Sequence, residues 1–277
     1  MKKTLFLIFF GLFNISESYS QYTPEQIYAF GKTSYEGKDY NQAITWLSEY
    51  IQIQTQSADA YNLRGLSYEG LQNYQSALED FGTAIQLNPN FKDAYINLGN
   101  LQMMQNNNSE AINNFTQAIL TDPTSAVAYR QRGIAYMNSG NYDLAINDLK
   151  ISIQRDANLS DSYRYLGLIY LQQGDTATAL QNFAKGIQIN SQNYRLYFDR
   201  ATYYYNTKQN TKALEDLNNT ININPDDYEA YLIRGYILNS MEQYNLAYDD
   251  LTKVVELKPE MADKLTFLIN EIKAKLK

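Results

Sequence analysis

DAYNLRGLSYEGLQNYQSALEDFGTAIQLNPN, residues 59–90, is the stretch on which the fold turns. Tyr61, Arg64, Gly65 and Tyr68 fall at i, i+3, i+4 and i+7, one face of a first helix, here called A. Ala77, Phe81 and Ala84 mark one face of a second helix, B, and Pro89 lacks the amide that would continue it. A 32-residue run that encodes two amphipathic helices and a stop is half of a packing unit, because neither helix can bury its face alone.

The same pattern recurs seven times from Pro24 to Met261 with a period of 34 residues and no insertion or deletion, beginning at Pro24, Ala58, Lys92, Ala126, Ser160, Tyr194 and Tyr228. Position 4 is Tyr in six repeats, position 8 is Gly in six, and position 20 is Ala in all seven, from Ala43 to Ala247. Position 32 is Pro in four: Pro89, Pro123, Pro225 and Pro259. A fixed period of this length specifies stacked helical hairpins. A Gly inside a helix costs about 1 kcal/mol against Ala, so its return at position 8 implies close helix approach; the small Ala of position 20 is the expected facing residue. Fourteen of the 26 tyrosines occupy positions 4, 11 or 17, which makes them packing residues first.

These residues resemble the tetratricopeptide repeat (TPR) family. The resemblance implies an all-α, right-handed α-solenoid of seven TPR helical hairpins, residues 24–57, 58–91, 92–125, 126–159, 160–193, 194–227 and 228–261. Thr23-Pro24-Glu25-Gln26 reads as a capping box that opens the array. Residues 262–277 keep the helix-A period through Leu265, Leu268, Ile269 and Ile272, and then turn basic, as a C-terminal capping helix would.

One correlation inside the chain is more specific. Position 7 is Arg in four repeats (Arg64, Arg132, Arg200, Arg234), and position 23 of the same four is Asp (Asp80, Asp148, Asp216, Asp250). Where position 7 is Phe30, Leu98 or Leu166, position 23 is Trp46, Asn114 or Asn182. An ion pair between helices A and B of one hairpin is the simplest cause.

Before the array, Met1-Lys2-Lys3, the apolar LFLIFFGLF and Ser18-Tyr19-Ser20 have the layout of a signal peptide, residues 1–20, cleaved before Gln21. The apolar run is short of the ~20 residues that span a bilayer. The expected location is therefore the periplasm or the outside of a bacterial cell. Removing residues 1–20 takes away two Lys and one Glu and moves the net charge from −7 to −8, the opposite of a nucleic-acid binder's basic stripe. With no His and no Cys, imidazole and thiolate chemistry is excluded, and so are the common zinc ligand sets. No glycine-rich phosphate loop is present. The expectation is a chain that is not an enzyme and takes no cofactor and no metal.

The resemblance also implies a binding surface: the helix-A residues at positions 2, 5, 9, 12 and 13, which line the inner wall. Repeats one to three place an acidic set there, with Glu25, Glu36, Asp59, Glu69 and Asp93 beside Tyr28, Lys32 and Tyr35. Repeats four to six place a more basic and apolar set: Arg130, Ile134, Met137, Arg164, Leu168, Leu171, Arg195, Phe198 and Tyr205. These nine are the candidate peptide-binding residues. The expected partner is a protein or peptide segment with an acidic or carboxylate-bearing group. A self-assembling or glycan-facing envelope component, using groove tyrosines such as Tyr28 and Tyr236 as platforms, is the second reading. The carboxylate clamp by which TPR co-chaperones grip a C-terminus, Lys and Asn at positions 5 and 9 followed by a set shared over the next two repeats, is missing: repeat one offers Tyr28 and Lys32, and repeat three Ile96 and Asn100.

Overall fold

A computed structural model describes residues 22–276; the expected signal peptide lies outside them. The described residues form fifteen α-helices and no strand. The A helices are α1 (Pro24–Glu36), α3 (Ala58–Gly70), α5 (Lys92–Met104), α7 (Ala126–Asn138), α9 (Ser160–Gln172), α11 (Tyr194–Asn206) and α13 (Tyr228–Ser240). The B helices are α2 (Tyr40–Ile53), α4 (Tyr74–Leu87), α6 (Asn108–Thr121), α8 (Tyr142–Arg155), α10 (Thr176–Ile189), α12 (Asn210–Ile223) and α14 (Tyr244–Leu257). A 3₁₀ turn, Pro259–Met261, leads into α15 (Ala262–Lys275). No helix among the described residues is long and apolar enough to cross a membrane.

Local chemistry accounts for these boundaries. The capping box forms at α1: Thr23 Oγ1 accepts from the Gln26 amide at 3.4 Å, and Gln26 Oε1 accepts from the Thr23 amide at 2.9 Å. Every A–B turn places position 15 at positive φ, at Lys38, Gln72, Asn106, Gly140, Gly174, Lys208 and Glu242, with values from 58° to 81°. Only two of the seven are Gly. The other five hold a side chain in the left-handed region, a cost of roughly 1 kcal/mol each that the fixed turn overrides.

The chain divides into two compact units, one ending at Gly140 and the other beginning at Asn141. The first holds hairpins α1–α2, α3–α4 and α5–α6, followed by α7. Its core contains Leu47, Phe81 and Phe115, each fully buried, with Ala43, Ala77 and Ala111. At its N-terminal end Tyr22 closes edge-on over Phe30, with ring centroids 5.1 Å apart, and Phe30 lies 5.2 Å from Trp46. The second unit holds α8, hairpins α9–α10, α11–α12 and α13–α14, and the cap α15. Leu265 and Ile272 of the cap are buried against Leu251 and Val254 of α14.

The Gly of position 8 does face a close neighbour, but the neighbour is position 24 and not the Ala of position 20. A Cβ on Gly99 would lie 2.6 Å from the Phe115 ring, on Gly65 2.7 Å from Phe81, and on Gly167 2.7 Å from Phe183. Repeat six, whose position 24 is Leu217, is the one that carries Ala at position 8, Ala201. Where position 24 is Phe, position 8 is always Gly; where it is Leu, both residues occur, with Gly31, Gly133 and Gly235 beside Ala201, and a Cβ on Gly31 would still lie 2.8 Å from Leu47.

Three of the Arg–Asp pairings are seen in full. Arg64, Arg200 and Arg234 each form a two-pronged bond to Asp80, Asp216 and Asp250, at 2.7–2.8 Å. The Asp side chains are 3–7% exposed and the Arg side chains 18–21%. A further arm reaches position 25 of the preceding repeat: Arg64 donates to Ser48 Oγ at 3.1 Å, Arg132 to Thr116 Oγ1 at 3.1 Å, and Arg234 to Asn218 Oδ1 at 2.7 Å. Those three arginines thus reach a third helix; Arg200 does not make this bond, because position 25 of the repeat before it is Ala184. The Arg64 guanidinium also sits over the rings at positions 4 and 11, 5.3 Å from Tyr61 and 5.9 Å from Tyr68. That contact gives the tyrosine excess a second physical reason.

Candidate functional site

The helix-A face is built one turn at a time: positions 5, 9 and 12 of each A helix stand one above another, so successive A helices present parallel columns. In the second unit α9 and α11 enclose a shallow cleft of about 320 Å³. Leu168 and Leu171 supply its apolar side. Asp199, Thr202, Tyr203 and Asn206 supply the other, and Gln172 closes an edge. Six of the nine candidate residues belong to this unit. Leu168 and Leu171 line the cleft; Phe198 and Tyr205 are half-buried and pack against the core of α11–α13.

Arg164 does not offer its charge to a ligand. It stands one turn before Leu168, and its Nε donates to Asp199 Oδ2 at 2.5 Å, with both side chains 14% exposed. Asp199 is position 6 of the next A helix, outside the set read as lining the wall, and it neutralises the cation expected to bind a partner's carboxylate. Burial pushes the Asp199 carboxyl up, against the opposing pull of Arg164. Arg195 remains exposed at the first turn of α11; its Nε donates to the Tyr194 hydroxyl at 3.4 Å, a long contact. Asp161, at position 2 of α9, accepts from Asn193 Nδ2 at 2.9 Å.

The other three candidates lie on α7 in the first unit. Arg130 is half-buried, with Nε 3.4 Å from the Gln131 amide oxygen. Met137 is half-buried. Ile134 is 7% exposed, so it is a core residue and presents no surface to a ligand. In the acidic set of this unit Glu25, Glu36, Asp59 and Asp93 are exposed, while Glu69 is half-buried, and burial pushes its carboxyl up. Tyr28 lies 5.1 Å from Tyr50, and Tyr35 lies 6.0 Å from Tyr40. These rings are engaged in packing along one side.

Position 6 is the functional feature that the repeat reading missed. Asn97 Nδ2 donates to Asn62 Oδ1 at 2.9 Å, Gln131 Nε2 to Asn100 Oδ1 at 2.5 Å, and Asp199 accepts from Arg164. In each case position 6 of one repeat bonds back to position 5 or 9 of the repeat before. The signal was available as complementary residues 35 positions apart, Asn62 with Asn97 and Arg164 with Asp199.

A face of A helices joined by such bonds and indented by shallow clefts is the surface of an array of helical-hairpin repeats. Tetratricopeptide-repeat family models match residues 58–91, 92–125, 130–194, 170–233 and 228–261, and the chain belongs to that family. No curated protein matches it significantly. Among solved structures it is similar to a tetratricopeptide repeat protein from Parabacteroides merdae, at 17% identity and a TM-score of 0.71 over 89% of this chain and 98% of that one. It is also similar to PilF of Pseudomonas aeruginosa, at 19% identity and a TM-score of 0.63 over 77% and 97%. A third likeness is to MamA, at 22% identity and a TM-score of 0.53 over 58% and 94%. At such identities the likeness is one of fold. Repeats of this family generally mediate protein–protein interaction, and chains built from them alone are typically scaffolds without catalysis.

Proposed function

We propose that this chain is a non-catalytic adaptor that seats an extended or helical segment of a partner protein against its helix-A face, in the envelope of a bacterium. The cleft between α9 and α11 supports this most directly. It combines the apolar side chains Leu168 and Leu171 with polar edges, and the exposed Arg195 stands one turn before Asp199 on the same helix. An apolar side chain fits the cleft, and an acidic or carboxylate-bearing group fits Arg195 and, in the first unit, Arg130. The compartment rests on the basic start, short apolar run and Ser-Tyr-Ser ending of residues 1–20.

Affinity capture from envelope extract with the mature chain tests both parts. The double variant Leu168→Asp/Arg195→Glu should lose the captured partner while keeping its helicity, and intact mass from the native host should begin at or near Gln21. Retention of the same partner by the double variant would remove the helix-A face as the site. A full-length chain in the membrane fraction would remove the compartment.

A further inference from the structure

The cap carries a contact that the N-terminal hairpins lack. Counted as a helix A, α15 places Lys275 at position 14, in its last turn. The Lys275 ammonium lies 5.0 Å from the centre of the Tyr244 ring, and Glu271 holds it at 3.0 Å. Tyr244 is position 17 of the repeat before. A ring and a carboxylate together make a site for an ammonium group, and here the chain supplies the ammonium itself.

In the first unit the ring and the carboxylate are present and the ammonium is not. Tyr40 is the position-17 ring of repeat one, and it lies against the end of α3: a Cβ on Gly70 would be 2.6 Å from it. Tyr35, at the end of α1, brings a second ring, with centroids 6.0 Å apart. Glu69 precedes Gly70 in the last turn of α3. It is half-buried, and burial alone pushes its carboxyl up, with no hydrogen bond or basic partner to oppose it. Burial, the Tyr40 hydroxyl and then the Glu69 carboxylate raise the Tyr35 phenol, so the acid and the two rings share one neighbourhood. Position 14, the place of Lys275 in the cap, is here Leu71, 41% exposed.

The nearby cations do not fill this place. Lys32 pairs with Glu36 at 3.9 Å, and Lys38 is exposed in the turn after α1. Among the described residues no cation lies over Tyr35 or Tyr40 and none pairs with Glu69. Neither α1 nor α3 has a basic residue in its last turn, where the helix ends carry partial negative charge. A carboxylate held half out of water beside two rings costs free energy until a cation reaches it.

We propose that Tyr35, Tyr40 and Glu69 form a binding site for an alkylammonium group, supplied by a lysine side chain of the partner segment that lies on the helix-A face. The ammonium meets Glu69 and the rings, and the four-carbon stem covers Leu71. Tyr35 and Glu69 both occupy position 12 of their A helices, so the site belongs to that face. It rests on the helix-A reading for the source of the lysine, and on neither the α9–α11 cleft nor Arg195.

Amide NMR of the isotope-labelled chain, titrated with Nα-acetyl-lysine methylamide, Nα-acetyl-norleucine methylamide and choline, tests this. The lysine probe should shift the Gly70 and Leu71 amides saturably, and the norleucine probe, which has the stem without the ammonium, should bind about tenfold more weakly. Glu69→Gln should erase that preference and melt no lower than the parent, because it removes an unpaired, half-buried charge. Leu71→Lys rebuilds the arrangement of the cap and should close the site to the lysine probe. Equal binding of the lysine and norleucine probes, a lysine preference that survives Glu69→Gln, or a Leu71→Lys chain that still takes the probe overturns the proposal. So does silence of all three probes, and so does choline binding more tightly than lysine, which would make the ligand a small quaternary ammonium. Capture with the Leu168 and Arg195 variant reads other residues, so the adaptor reading and this site can fail separately.

Discussion

Asp216→Ala is the perturbation that most directly tests the buried Arg–Asp pair as a stabilising device. In the parent, Arg200 Nε and Nη2 each donate to Asp216 at 2.8 Å, and the two side chains are 21% and 3% exposed. Removing one partner of a buried pair costs about 3–5 kcal/mol, because the other charge is left without compensation. One-fifth of the Arg200 side chain already reaches water, so its guanidinium recovers some hydration and the lower end, about 3 kcal/mol, is expected. Asn182→Ala at the equivalent position loses a single bond, Asn182 Nδ2 to the Thr178 carbonyl at 2.8 Å. That loss is worth about 1 kcal/mol. Repeat five also shows what a neutral solution looks like, with Leu166 at position 7, 3% exposed, and Asn182 at position 23. Transplanting it as Arg200→Leu/Asp216→Asn should return stability to within about 1 kcal/mol of the parent, since a buried pair replaced by packed neutral groups costs little. Urea denaturation followed by circular dichroism reads all three as midpoint shifts at constant slope. Equal shifts for Asp216→Ala and Asn182→Ala, or a double variant as unstable as Asp216→Ala, would refute the reasoning.

Three further outcomes follow from the geometry. Gly99→Ala should destabilise by more than the ~1 kcal/mol of helix propensity it gains, because its methyl would lie 2.6 Å from the Phe115 ring; Gly235→Ala, 3.0 Å from the flexible Leu251 side chain, should be close to neutral. Thermal melts of the two variants decide this, and equal melting points would sink it. Asp122 is held at a pKa of about 2, below its ordinary 3.8, by Thr124 and Lys92. Its contribution to stability is therefore present above 3.8 and lost as pH falls toward 2. Asp122→Asn should melt below the parent at neutral pH and converge with it at the acid end of that window; a constant gap would contradict it. Arg164→Glu should set two carboxylates together where each parent side chain is 14% exposed, and lower stability by about 3 kcal/mol or more, while Arg130→Glu on half-buried α7 should cost under about 1. Similar denaturation midpoints for the two would show that the Arg164–Asp199 pair is unimportant.

A strict period made most of the fold legible. With 34 residues per repeat, each side chain's face follows from counting, and the Arg–Asp correlation between positions 7 and 23 could be seen before any coordinate. The αL residue at position 15 was hidden, because five of its seven occupants are ordinary side chains such as Gln72 and Glu242. The closed turn dictates that conformation, and composition does not announce it. The candidate site was legible only as a face. Counting placed Arg164 and Ile134 on the A-helix wall, but could not say that Asp199 would reach back to the first or that the second would be 7% exposed.

The sequence by itself determined the helices, their pairing into hairpins, the caps and the absence of imidazole and thiol chemistry. Each of these depends on local periodicity or on residue identity, which neighbours cannot alter. Only the tertiary structure decided which charges are still available to a partner, which side chain lies against each Gly of position 8, and where apolar surface stays uncovered. Those outcomes depend on distances between side chains about 16 or 35 residues apart. There a shift of one ångström converts a bond into an open site, and no periodicity records it.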